Sequence, residues 1–191
     1  MCDWSSDVCS SDLARTFSDL PDKRRIQIGW VQTDCYLKQF PDQMVNQAFS
    51  LPHELTLRET GAGLRLFFSP VKETEKLRCE VLAEGKNLTL AQANELLQKC
   101  KGELSETLIE FADAGPEQLV INGLDASFNG RTARIFTDRT FNEIYTDDGI
   151  SCELRKRLAN KFDSTETRLT AGERTIIHSL KIFRLKSIWP K

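Results

Sequence analysis

The strongest constraint on this chain is a two-residue alternation of apolar and polar side chains that recurs along its length. Arg25-Ile26-Gln27-Ile28-Gly29-Trp30 alternates in this way, and so does Glu54-Leu55-Thr56-Leu57-Arg58. Successive side chains of a strand point to opposite faces, so this period marks strands with one buried face. Thr60-Gly61-Ala62-Gly63 leads directly into Leu64-Arg65-Leu66-Phe67-Phe68, and two such runs across a Gly-rich turn predict a β-hairpin. Pro70 has no backbone N–H and ends or edges the second strand.

From about Thr74 onward the pattern again favours strands. They are expected at Leu77 to Leu82, Leu104 to Phe111, Gln118 to Asn122, Ala133 to Thr137, Phe141 to Thr146, Ile150 to Leu154 and Thr175 to Leu185. Only Thr89 to Cys100 is helical in character, with Leu90, Ala93, Leu97 and Cys100 spaced by three and four. Asp147-Asp148-Gly149 is the clearest hairpin turn, because Asp and Gly tolerate left-handed backbone. Many short strands separated by turn signals predict a β-sandwich.

The first residues do not belong with the rest. Asp3-Trp4-Ser5-Ser6-Asp7-Val8-Cys9-Ser10-Ser11-Asp12-Leu13 is dense in Ser and Asp and reads as the in-frame translation of a short-read sequencing adapter. Residues 1–13 are therefore set apart from the fold, and the natural sequence is expected to extend upstream of Ala14. The full chain carries 28 acidic and 26 basic residues. Without Asp3, Asp7 and Asp12 the two nearly balance. Nucleic-acid binding would call for clustered basic excess, and a membrane helix for about 20 consecutive apolar residues. The sequence offers neither, so neither partner is expected.

Cys35, Cys79, Cys100 and Cys152 are far apart and fit no metal spacing, as are His53 and His178. The cysteines read as separate reduced thiols and the histidines as ordinary surface or core residues.

Several stretches carry a family resemblance. Phe17-Ser18-Asp19 precedes Arg24-Arg25, whose strand ends Gly29-Trp30; Leu51-Pro52-His53-Glu54-Leu55-Thr56-Leu57-Arg58 follows, and then Pro70-Val71-Lys72-Glu73. Further on stand Asp138-Arg139-Thr140, Glu143, Tyr145 and Asp147-Asp148-Gly149, and the chain closes through Ser179-Leu180 and Leu185 to Trp189. In this order the motifs resemble the C-terminal part of glycoside hydrolase family 32, the β-fructosidases of levanase, inulinase and invertase type. The match departs at Val31, usually Met, at Phe141 and Asn142, and over the shortened stretch Leu119 to Arg134.

The resemblance implies an all-β chain. Residues 14–73 would form the terminal strands of a five-bladed β-propeller and the connection out of it, and residues 74–191 a C-terminal β-sandwich. The implied parent hydrolyses β-fructosides with retention, through two carboxylates about 5–5.5 Å apart, and needs no cofactor or metal. Its Asn-Asp-Pro-Asn-Gly, Arg-Asp-Pro and Glu-Cys motifs do not occur in this sequence; Cys79-Glu80 and Cys152-Glu153 run in the opposite order. No catalytic residue is assigned to the chain, and the parent's partner would be carbohydrate (fructan or sucrose) held by the missing propeller.

Trp30 corresponds to a tryptophan at the mouth of the sugar pocket in related enzymes; it either meets substrate there or fills a blade core. Trp189 is expected to pack at the terminus. Asp138, Arg139 and Glu143 are expected to form a hydrogen-bonded structural network, since buried charges must be paired. The competing class is a non-catalytic fructan-binding or oligomerising sandwich, with Phe136, Phe141, Tyr145 and Phe183 as candidates for an aromatic groove.

Overall fold

The computed structural model describes residues 12–17, 19–31, 47–156, 164–172 and 174–188. Trp189, Cys35 and all but the last two residues of the adapter-like segment lie outside them.

The described residues form two sheets. The first joins β1 (Asp12–Thr16), β2 (Ile26–Val31), β4 (His53–Thr60) and β5 (Gly63–Pro70) in the order β1-β2-β4-β5, with β3 (Ala48–Phe49) also paired to β2. The expected hairpin is β4–β5, in register from His53↔Pro70 to Thr60↔Gly63. A 3-10 turn, Lys72–Leu77, connects it to the second sheet. Arg24 steadies this connection from the first sheet: its guanidinium bonds Glu73 at 3.0 and 3.2 Å and Asp22 at 2.5 Å. These bonds hold both carboxyls below their ordinary range.

The second sheet is built on β6 (Arg78–Leu88), β7 (Ser105–Ile121), β9 (Phe128–Thr137), β10 (Phe141–Thr146), β11 (Ser151–Lys156) and β13 (Ile177–Leu185). Their order is β11-β10-β9-β7-β13-β6, and every pairing is antiparallel. Two expected strands, Leu104–Phe111 and Gln118–Asn122, are one. β7 runs through both, with a register shift between Glu110 and Gly115, and its far end pairs with β8 (Leu124–Asp125) and β12 (Arg168–Thr170).

That far end and helix α1 (Leu90–Leu97) fold over one face of the sheet and close the sandwich. Ile109, Phe111, Ile135, Ile144, Ile177, Leu180 and Ile182 from the sheet share a core with Leu119 and Ile121 of distal β7, Leu169 of β12, and Ala93, Leu97 and Cys100 of the helical segment. Fully burying such side chains contributes about 1.5–3 kcal/mol each. The helix starts at a capping box: Thr89 Oγ1 accepts from Gln92 N, and Gln92 Oε1 accepts from Thr89 N.

The other face of the second sheet meets the first sheet. Val31 and Phe68 pack with Phe136, Phe141, Tyr145, Cys152 and Leu154, backed by Ala48, Leu51 and Leu55. β10 thus has a core on each side, and all six of its residues are buried.

The β10–β11 turn touches the first sheet directly. Asp147, Asp148 and Gly149 have φ of 44°, 61° and 94°, and Asp147 Oδ1 accepts from Arg131 N at 2.9 Å and Thr132 N at 3.1 Å. A β-carbon at Gly149 would fall inside the Phe68 carbonyl oxygen of β5. Gly149 therefore answers two demands, a left-handed backbone and a close approach between sheets. Gly149→Ala is expected to lower stability by about 3 kcal/mol or more in urea unfolding, combining backbone strain with a steric clash. Gly61→Ala, with open space around it, should stay within about 0.5 kcal/mol.

Candidate functional site

The two motif stretches, 51–58 and 138–149, meet where the sheets pack. Four consecutive residues, the β3–β4 link and the first residue of β4, bond outward. Ser50 exchanges two bonds with Gly29 of β2: its N–H donates to the Gly29 carbonyl at 2.8 Å, and its Oγ accepts from Gly29 N at 2.9 Å. Leu51 N donates to Glu143 Oε1 of β10 at 2.6 Å. The Pro52 carbonyl accepts from Val71 N at 3.0 Å. His53 Nδ1 lies 3.1 Å from Tyr145 Oη.

Glu143 is 1 % exposed and His53 is 0 % exposed, so water cannot screen this junction. Tyr145 Oη donates to Glu143 Oε2 at 2.6 Å. Having one proton, the hydroxyl then accepts from His53, which makes His53 the Nδ1–H tautomer when neutral. Its Nε2 has no hydrogen-bond partner among the described residues, and the ring stands edge-on to Phe68 and Tyr145, with centroids 6.0 Å away in each case. Glu143 has an acceptor bond on each oxygen, one from backbone and one from a phenol, which suits an ionised carboxylate. A carboxylate so enclosed and bonded is placed to orient its neighbours.

A second buried carboxylate lies on the same face of the second sheet, two strands from Glu143, with Phe136 of β9 between them. Glu106, 0 % exposed, is gripped by Arg78 at 2.6 and 2.7 Å and by Arg134 at 2.7 Å. The Glu106 bond holds Arg78 more firmly protonated than usual. Arg78 also lies over the Phe183 ring at 4.3 Å and Arg134 over Phe136 at 5.0 Å.

Other expected residues fall elsewhere. Trp30 is half-buried at the end of β2, where it pairs with Phe49 of β3, itself 68 % exposed. Asp138 is exposed on the β9–β10 turn and accepts from Arg139 N, so it lies outside the buried network centred on Glu143. Phe136, Phe141 and Tyr145 are core residues and Phe183 is half-buried, so they do not form an aromatic groove. A half-open cleft of about 340 Å³ runs between β5 and the second sheet, past Ser69, Pro70, Glu110, Thr132, Arg134 and Asp148. Among the described residues no group of three His, Cys, Asp or Glu could hold a metal, and no helix is long and apolar enough to cross a membrane.

His53, read from sequence as isolated, is the residue whose role sequence reasoning missed. Its partner lies 92 positions away, and the available signal is its place inside the Leu51–Arg58 family motif. Tyr145→Phe removes the hydroxyl that joins His53 to Glu143 and is expected to cost about 1–3 kcal/mol in chemical denaturation. Cys79 is exposed and Cys100 is buried, with burial pushing the Cys100 thiol up to about 12. Peptide mapping after brief thiol labelling at pH 8 should find Cys79 modified and Cys100 untouched until the chain is unfolded.

Comparison with known proteins gives this geometry a setting. No protein-family model matches the sequence. A levanase from Bacillus sp. (strain L7) is 35 % identical over 80 residues, which are 42 % of this chain and 8 % of the relative. A levanase from Bacillus subtilis (strain 168) is 31 % identical over 143 residues, 66 % of this chain and 20 % of that protein. The chain thus spans a fifth or less of the curated relatives it matches. Among solved structures, fructan 1-exohydrolase IIa from Cichorium intybus superposes with a TM-score of 0.69 at 14 % identity, covering 95 % of this chain and 49 % of its own. A glycoside hydrolase family 32 structure from Bifidobacterium adolescentis gives 0.61 at 20 % identity, covering 94 % of this chain and 32 % of its own. The fold is that of these enzymes, the end of a propeller followed by a β-sandwich, and together with the levanase likeness it places the chain in glycoside hydrolase family 32.

Proposed function

We propose that this chain is the C-terminal, non-catalytic part of a retaining β-fructosidase acting on levan, inulin or sucrose. Residues 14–73 end the propeller and lead out of it, and residues 74–191 form the sandwich that braces it. The observation carrying this reading is the likeness to a levanase over 143 residues, a fifth of that protein's length. The sequence contains none of the family's three acid-bearing motifs, and the two buried carboxylates described above are occupied by structural partners. Retaining hydrolysis needs two carboxylates facing one glycosidic bond, and Glu143 and Glu106 face Tyr145 and arginines instead. In the parent, carbohydrate would be held by the rest of the propeller, with Trp30 presenting its indole to the sugar's C–H face.

The reading favours bracing over a free-standing fructan-binding module, because the sandwich aromatics are in the core and its most polar buried residues point at the first sheet. The purified chain, folded by circular dichroism, is expected to release no fructose from sucrose, levan or inulin. Release above a mock-purified control, lost in Glu143→Gln, would return Glu143 to the chemistry and overturn the proposal.

A further inference from the structure

We propose that Glu143 is a positioning residue for Trp30, acting across the junction between the two sheets. The inference rests on Trp30 being a sugar contact, and adds to it the element that sets the indole's place. The path is short and each step is a bond. Glu143 Oε1 accepts from Leu51 N at 2.6 Å. Ser50, covalently next to Leu51, bonds both backbone groups of Gly29 at 2.8 and 2.9 Å, and Gly29 precedes Trp30. Ser50 is 3 % exposed and Gly29 is buried, so water does not compete for these bonds.

Glu143 itself has little freedom. Its second oxygen accepts from Tyr145, and its strand is buried throughout. On the far side, Trp30 is tied to Phe49, the residue before Ser50, through strand pairing. The segment 49–51 is thus held between β2 and Glu143. Without the carboxylate, Leu51 N must find another acceptor, and a shift of Leu51 carries Ser50, Gly29 and the indole with it. Buried donors are rarely left unpaired.

The test uses the full chain with Trp4→Phe and Trp189→Phe, so that Trp30 is the sole tryptophan. Acrylamide quenching and emission maximum are read well below the melting transition for Glu143→Ala, Glu143→Gln and Glu106→Ala. Glu143→Ala is expected to raise the quenching constant and shift emission to the red. Glu143→Gln, which keeps an oxygen for Leu51 N, should recover most of the parental signal. Glu106→Ala removes an equally buried carboxylate bonded to Arg78 and Arg134 and should melt earlier while leaving the Trp30 signal in place. Equal shifts in Glu143→Ala and Glu106→Ala would reduce the effect to general loosening and overturn the proposal, as would no shift in either. Should Glu143→Ala fail to fold, Tyr145→Phe serves instead: it frees one carboxylate oxygen, a smaller red shift is expected, and no shift overturns the role. The quenching readout does not depend on sugar, so a shift confined to Glu143→Ala establishes the positioning role whether or not Trp30 meets substrate in the parent.

Discussion

The bond between Glu143 and the Leu51 amide is the constraint on which the junction of the two sheets depends. Apolar packing of Val31, Phe68, Phe136 and Tyr145 supplies attraction but little direction, since dispersion and the hydrophobic effect tolerate sliding. A buried carboxylate does not. Leaving it without a partner costs several kcal/mol, so the sheets can close only where a donor meets each oxygen. Leu51 N comes from the first sheet and Tyr145 Oη from the same strand as Glu143. The register of the whole interface follows, and Gly149 against the Phe68 carbonyl admits it only because no β-carbon intervenes.

Departures from the family pattern make sense at the same strand. Asn142 stands where an aliphatic residue is usual, on the side of β10 facing the sandwich interior. Its Nδ2 donates to the Asp125 carbonyl at 2.9 Å and reaches that of Leu124 at 3.4 Å, which ties β8 down onto the sheet. Phe141 faces the other way and joins the cluster between the sheets. One residue thus fastens the small layer of the sandwich and its neighbour widens the contact with the first sheet.

Alternation made much of this fold legible. β10 was expected at Phe141 to Thr146 and is found there, and the β4–β5 hairpin and Asp147-Asp148-Gly149 turn stand where periodicity and turn chemistry put them. Alternation resolves β7 into two strands, Leu104 to Phe111 and Gln118 to Asn122, with Asp113-Ala114-Gly115-Pro116 between them. The backbone instead passes through a register shift there and continues into the second layer. Strands of two or three residues, β3, β8 and β12, are shorter than the window in which a period can be recognised. The site was half legible. The motif that puts Glu143 in a structural network also groups Asp138 with it. Five residues apart, one lies inside β10 and the other on the exposed turn before it. His53 could not be assigned at all, because the group that gives it meaning comes from a strand 92 residues on.

The two buried glutamates answer one electrostatic problem in different ways, and the difference bears on what the sandwich is for. Glu106 is neutralised within its own sheet by Arg78 and Arg134, so it is satisfied whether or not the first sheet is present. Glu143 accepts from Tyr145 within the sandwich and also takes a donor from Leu51, across the junction. Take the first sheet away, and Leu51 N and His53 go with it while Phe136, Phe141 and Tyr145 face solvent. The core shared by Ile135, Leu180 and Leu119 would survive that loss, because its members come from the second sheet, the strands folded over it and the helical segment. One face of the sandwich is therefore self-sufficient and the other is built for a partner sheet. Such an asymmetry suits a domain that holds its neighbour in place better than one that evolved to stand alone.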